Sequence, residues 1–232
     1  MTLRLFFIRH SETEWSLNGK HSGRADIPLT ENGEDQARQL GSRINIFSFA
    51  HVLTSPLQRA RRTCELVNLS CDANVEADLI EWDNGDYESR TRDEISATRP
   101  GWNLFRDGCP NGEMPDQISS RADRLIQRLI KLEGNVALFS HSHFGRVLAA
   151  RWIGLSVEQA QPLLLNTASL SILCYEHGRA DQRAIELWNF TPLERFADAS
   201  ASREKVTERA IERWENEGGE TPAGLQNARE TS

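Results

Sequence analysis

Three short motifs carry the groups best suited to chemistry. Arg9-His10-Ser11-Glu12-Thr13-Glu14-Trp15 follows directly on the apolar run Leu5-Phe6-Phe7-Ile8. Thr54-Ser55-Pro56-Leu57-Gln58-Arg59 follows His51-Val52-Leu53, and Ser140-His141-Ser142-His143 follows Val136-Ala137-Leu138-Phe139. A neutral imidazole is a competent nucleophile once a hydrogen bond at its other nitrogen orients it. The planar guanidinium fork suits bidentate contact with phosphate oxygens. A single histidine after a strand is more often structural than reactive, and Arg59, Arg61 and Arg62 alone read as a solvated helix face. The balance shifts because three separate apolar runs each end in such a group. Ligands of open α/β sheets sit beyond the carboxyl ends of the strands. Arg9, His10, Arg59 and His141 are therefore expected at one sheet edge, as a site for phosphoryl chemistry.

The elements that must position these groups can be read from the pattern. Leu3–Ile8, His51–Thr54 and Val136–Phe139 are short apolar runs that predict buried strands. Leu170–Tyr175 and Ile185–Trp188 predict two closing strands, with a turn at His177-Gly178 after the first. Thr30 is the expected N-cap of a helix to about Ile44, with Glu31, Glu34 and Asp35 in its first turn. Pro56 stands near the first position of a helix running to Val67. Pro115 opens an amphipathic helix carrying Ile118, Ala122, Leu125, Ile126, Leu129 and Ile130, and another helix is expected from His143 to Trp152. Residues 9–29 read as a polar loop, and Leu79–Gly112 as loops with short helix. Strands alternating with helices predict an α/β fold: a mostly parallel central sheet with helices on both faces.

These segments resemble the histidine phosphatase superfamily, in its phosphoglycerate-mutase-like branch. The likeness rests on RHSETEW, HSGRADIPLTENGEDQA, LTSPLQRARRT, LIEWDNGDYE and LFSHSHFGRVLAARWIGL, in the family's order from residue 3 to about 190. HSGRADIPLT together with FRDGCPNGE is most similar to broad-specificity phosphatases and sedoheptulose-bisphosphatase-like enzymes. The resemblance implies a three-layer sandwich. It makes His10 the nucleophile, surrounds the phosphate with Arg9, Arg59 and a cationic His141, and places the proton donor at Glu81. Glu88, seven residues on, is the rival donor or a substrate contact. Ser22 and Gly23 fall where the family closes a loop over the phosphate, and Ser16 where relatives often carry Asn. Ser142 and Arg106 complete the candidate binding residues, Arg106 with the Asp107–Glu113 turn. Two positions depart from the family pattern: Ser11 and Ser142 replace glycines. A serine there costs strain if the backbone needs a positive φ.

Composition narrows the remaining classes. The chain has 232 residues and a formal net charge of -7, which argues against a broad nucleic-acid-binding face. Its longest early apolar run, Leu5–Ile8, is too short for a signal peptide or membrane span. Cys64, Cys71, Cys109 and Cys174 form no C-x-x-C pair, so reduced thiols and a cytoplasmic location are expected. His141-Ser142-His143 lacks a carboxylate at ligand spacing, so neither metal nor cofactor is expected. His21, His51 and His177 read as scattered polar residues, His143 as a packing residue, and Trp82 and Trp102 as core or as the substrate mouth. Residues 1–197 are expected to form the catalytic domain and 198–232 a charged helical or flexible tail, with a polar helix over Ser202–Glu217. The expected activity is metal-independent hydrolysis of small phosphate monoesters, phosphosugars above all. A phosphoglycerate-type mutase and a weakly catalytic phospho-ligand-binding module are the alternatives. Oligomeric state is left open.

Overall fold

The computed structural model describes residues 2–69, 73–176, 179 and 182–191. The expected turn at His177-Gly178, Cys71, and the whole tail with its Ser202–Glu217 helix lie outside the described residues. The strands are β1 (Arg4–Arg9), β2 (His51–Thr54), β3 (Ala73–Val75), β4 (Asn135–Ser140), β5 (Leu170–Tyr175) and β6 (Arg183–Phe190). They form one sheet in the order β3-β2-β4-β1-β5-β6. Pairings β3–β2, β2–β4 and β4–β1 are parallel, and β1–β5 and β5–β6 antiparallel. Register brings the three motif strands level: Arg9 lies opposite Ser140, and Thr54 opposite Phe139. Residues 9–10, 55–59 and 141–143 thus leave the sheet at the same edge.

Successive β1 side chains point to opposite faces. Leu5 and Phe7 join Val136 and Leu138 on one face, under α6 (Pro115–Leu129) and α7 (Ser142–Trp152). Phe6 and Ile8 join Ala137 and Phe139 on the other, under α2 (Glu31–Ile44) and α3 (Gln58–Leu66). A strand buried on both faces cannot show polar alternation, which is why β1 and β4 read as continuous apolar runs. α7 packs on β1 through Gly145, where a Cβ would run into the Phe7 ring.

Several elements depart from expectation. The third helix starts at Gln58 rather than Pro56, with Leu57 as its N-cap. The loop over 9–29 contains one helical turn, α1 (Glu14–Leu17), closed by a capping box between Thr13 and Ser16. β3 was not expected. It is three residues at the sheet edge and mostly exposed, so it has no apolar pattern to read. The 79–112 region contains α4 (Arg92–Thr98) and α5 (Leu104–Asp107), with 3-10 turns at Ala77–Leu79 and Gly85–Tyr87. Trp82 and Trp102 are both core residues, their indoles donating to the Glu113 and Gly108 carbonyls. Among the described residues no helix is long and apolar enough to cross a membrane.

Candidate active site

His10 leaves β1 with its backbone held on two sides. Its N–H donates to Ser140 O at 2.9 Å, and its carbonyl accepts from Ala168 N at 3.2 Å. Within the ring, Nδ1 lies 2.7 Å from Ser11 O. A carbonyl can only accept, so Nδ1 carries the proton and Nε2 keeps the lone pair. Ser11 N donates in turn to Thr63 Oγ1 at 3.0 Å, and that hydroxyl donates to Arg59 O at 2.7 Å. Thr63 therefore ties the loop after His10 to the first turn of α3.

Arg59 is fully buried. Its Nη1 donates to Ala25 O at 2.7 Å and its Nη2 to Gly23 O at 2.9 Å, so the guanidinium holds the loop that borders the pocket. Gly23 has φ +46°, and a Cβ there would meet the Glu88 carboxylate. Glu88 accepts from Arg24 N at 2.6 Å on the outer side of the same loop. Arg9 is buried and donates to the Leu165 carbonyl. His141 caps α7, with Nε2 2.7 Å from Ser55 Oγ and its ring centroid 5.3 Å from that of His10. Glu81 lies at the start of α7, where Oε1 accepts from Phe144 N at 2.8 Å and from Trp82 N at 2.9 Å, and Oε2 from His143 N at 3.2 Å.

One pocket, open to solvent, gathers most of these groups: Arg9, His10, Ser16, Ser22, Arg59, Glu81 and Ser142 all line it. His141 is fully buried and is not among the lining residues. Glu88 and Arg106 are not among the lining residues. Glu88 braces the Gly23–Arg24 loop, and Arg106 is exposed, paired with Asp107 and donating to Gly101 O. Ser16 faces the pocket while its hydroxyl serves the α1 cap, donating to Thr13 O at 2.9 Å. Neither serine that replaces a glycine has a positive φ, so neither strains the backbone. Ser142 opens α7 and faces the pocket, whereas the Ser11 hydroxyl is buried away from it.

Gly19, Lys20, His21 and His143 also line the pocket and were not expected there. His21 and His143 stack with centroids 5.6 Å apart and planes at 21°, packed against Trp102 and Phe105. Their signals were His21's adjacency to Ser22-Gly23 and His143's spacing of two from His141. Among the described residues no group of three or more His, Cys, Asp or Glu side chains is placed to hold a metal ion.

Electrostatics corrects one expectation. Burial, followed by the charges of Arg59 and Arg9, holds His10 well below the ordinary histidine range. Burial, then Arg59, His10, Arg9 and Arg121, does the same to His141, so His141 is neutral in the open pocket rather than cationic. The positive field comes from the arginines: burial pushes Arg59 down to about 10, opposed chiefly by Glu81, and it stays charged at neutral pH. This has a consequence for stability. With both histidines neutral when folded, the unfolded chain binds more protons once pH falls below about 6.5. Stability is then expected to fall with decreasing pH, by up to about 1.4 kcal/mol per pH unit for each histidine. Urea unfolding between pH 7 and 5 measures this. A wild-type slope no steeper than that of a His10→Gln/His141→Gln variant would count against the account.

A buried histidine with a fixed tautomer, two buried arginines and a sheet-edge pocket define an enzyme of phosphate-ester chemistry. Residues 5–191 match the family model of the histidine phosphatase superfamily (branch 1), and the chain belongs to that family. Hydrolysis of phosphate monoesters through a phosphohistidine is the family's general chemistry. An acid phosphatase of Mycobacterium tuberculosis is 34% identical over 179 residues, 75% of this chain and 88% of the relative. A sedoheptulose 1,7-bisphosphatase of Saccharomyces cerevisiae is 32% identical over 251 residues, covering 81% of this chain and 93% of the relative. The solved structure of an open-reading-frame product of M. tuberculosis superposes with a TM-score of 0.78 at 32% identity, over 83% of this chain and 100% of that one.

Proposed function

We propose that the protein is a metal-independent phosphatase acting on small phosphorylated metabolites, phosphosugars foremost, with His10 as nucleophile. The observation that carries this reading is the His10 Nδ1–Ser11 O bond, which leaves the Nε2 lone pair available at the pocket floor. Nε2 attacks phosphorus, forming a P–N bond as the ester P–O bond breaks. The departing alkoxide takes a proton from the Glu81 carboxyl. Glu81 then accepts a proton from water as the water oxygen attacks phosphorus and the P–N bond breaks. Arg9 and Arg59 hold the equatorial oxygens, where the loose transition state carries its charge. The Ser22-Gly23 loop and Ser142 supply further donors, whereas the Ser16 hydroxyl is taken up by Thr13 O.

Phosphosugars are favoured by the likeness to the yeast sedoheptulose 1,7-bisphosphatase and by the polar wall of Lys20, His21 and Ser22, which suits a hydroxylated leaving group. A catalytic domain over 1–197 with an accessory tail over 198–232, a cytoplasmic location, and no nucleic-acid or membrane partner complete the proposal. The net charge of -7 supports the exclusion of nucleic acid.

The test is phosphate release from p-nitrophenyl phosphate and a phosphosugar panel in the presence of EDTA. Release supports the hydrolase. Its absence with a folded protein, together with phosphoryl exchange between phosphoglycerates, would favour a mutase. The proton donor is separable on leaving groups. Glu81→Gln is expected to lower kcat/KM for an alkyl phosphate by roughly 10²–10⁴-fold and for p-nitrophenyl phosphate much less, since kcat/KM reports the step in which nitrophenolate leaves without help. If Glu88→Gln alone shows that pattern, Glu88 is the donor.

A further inference from the structure

Glu81 sits in irregular chain. The 3-10 turn Ala77–Leu79 ends just before it, and no strand ladder or helix fixes residues 80–84. Buried carbonyls in such a segment need partners from elsewhere. Here they come from one side chain. Arg121, buried on α6, donates through Nη1 to Asp78 O at 2.9 Å and to Ile80 O at 2.7 Å, and through Nη2 to Glu81 O at 3.3 Å. Its remaining donors pair with Glu113: Nε to Oε1 at 2.8 Å and Nη2 to Oε2 at 2.6 Å. Five hydrogen bonds use the full donor capacity of a guanidinium.

Glu113 continues the clamp beyond Glu81. Its carbonyl accepts from the Trp82 indole at 2.7 Å, its N–H donates to Asp83 O at 2.9 Å, and its Oε2 accepts from Asp83 N at 3.4 Å. The Arg121 guanidinium also lies over the Phe144 ring, 4.4 Å from its centroid, and Phe144 N is a donor to the Glu81 carboxylate. One ion pair therefore touches the chain on both sides of Glu81 and the residue that holds its side chain. Both members are almost fully buried and neither lines the pocket. A buried ion pair is weak evidence for stability, because desolvation offsets the attraction between the charges.

We propose that the Arg121–Glu113 pair is a positioning device that sets the Glu81 carboxyl at the leaving-group oxygen. The inference rests on the reading of Glu81 as proton donor. Displacing a reacting group by about 1 Å can cost ~10²-fold in rate. That loss falls where the proton matters and spares a leaving group that needs none, which loss of folding would not do.

The experiment compares kcat and KM on glycerol phosphate and p-nitrophenyl phosphate for wild type, Arg121→Lys, Arg121→Gln/Glu113→Gln and Glu81→Gln. Vanadate affinity reports whether the His10–Arg9–Arg59 pocket is intact. Arg121→Lys is expected to lose roughly 10²-fold in kcat/KM, which reports the P–O cleavage step, on glycerol phosphate, only a few-fold on p-nitrophenyl phosphate, and to keep its vanadate affinity. Added to Glu81→Gln, it should cost little more, since both changes remove one function. The double Gln variant leaves no lone buried charge and serves if Arg121→Lys does not fold. Equal losses in kcat/KM on both substrates in either variant, or failure of both to fold, assign the pair a purely structural role and overturn the proposal. If Glu81→Gln itself shows no leaving-group dependence, the donor assignment fails, and the positioning inference with it.

Discussion

His10→Ala is expected to lower kcat on every phosphate ester by roughly 10⁴–10⁶-fold, the scale seen when a nucleophile is removed from a catalytic unit that works as a whole. Alanine removes the lone pair that forms the P–N bond but leaves the backbone bonds to Ser140 and Ala168 intact, so the pocket should persist. Arg9 and Arg59 can still bind phosphate in that pocket, which predicts a variant that binds vanadate and fails to turn over. Residual hydrolysis by a positioned water is the expected floor. The direct readout is covalent: brief mixing with a labelled phosphosugar, quenching in alkali, and counting label on the protein. Label on wild type and none on His10→Ala is the expected pair of results. Equal labelling, or a kcat within tenfold of wild type, would place the nucleophile elsewhere.

The motifs around this histidine were legible because the physics that positions them is short-ranged. β1 and β4 are buried on both faces, so their apolar runs stand out and their ends mark the site edge. The parallel register pairs these two strands end to end, which brings Arg9 beside Ser140. The histidine stack was illegible for the opposite reason. His21 and His143 lie more than a hundred residues apart and meet only because α7 and the 20–23 loop converge on one pocket. The clamp around Glu81 was hidden in the same way. Glu113 stood only at the end of the Asp107–Glu113 turn, and nothing in the helix pattern singles out Arg121, which points inward. The charge state of His141 depended on burial and on four neighbouring groups, none of which a strand-end motif reveals. The serines after the two histidines raised a question of backbone strain that only φ could answer.

Arg59→Ala is expected to reduce kcat/KM by about 10³–10⁵-fold, the range associated with an arginine that stabilises a phosphoryl transition state. The loss has two separable parts. One is charge at the equatorial oxygens. The other is shape, because Nη1 and Nη2 also hold the Ala25 and Gly23 carbonyls, and with them the loop beside the phosphate. Arg59→Lys keeps the charge and gives up the planar fork, so it should weaken vanadate binding and slow turnover by roughly 10²-fold, less than alanine does. The pH profile tells the two parts apart. Arg59 is the largest charge holding His10 and His141 down, and attack requires neutral His10. Removing that charge raises the histidine pKa, so the acid limb of log kcat/KM should move to higher pH in Arg59→Ala. In Arg59→Lys the limb should stay near the wild-type position, because a cation remains. An acid limb that is the same in all three proteins would mean that burial alone keeps His10 neutral. The arginine's contribution would then lie wholly in binding the phosphate and holding the loop.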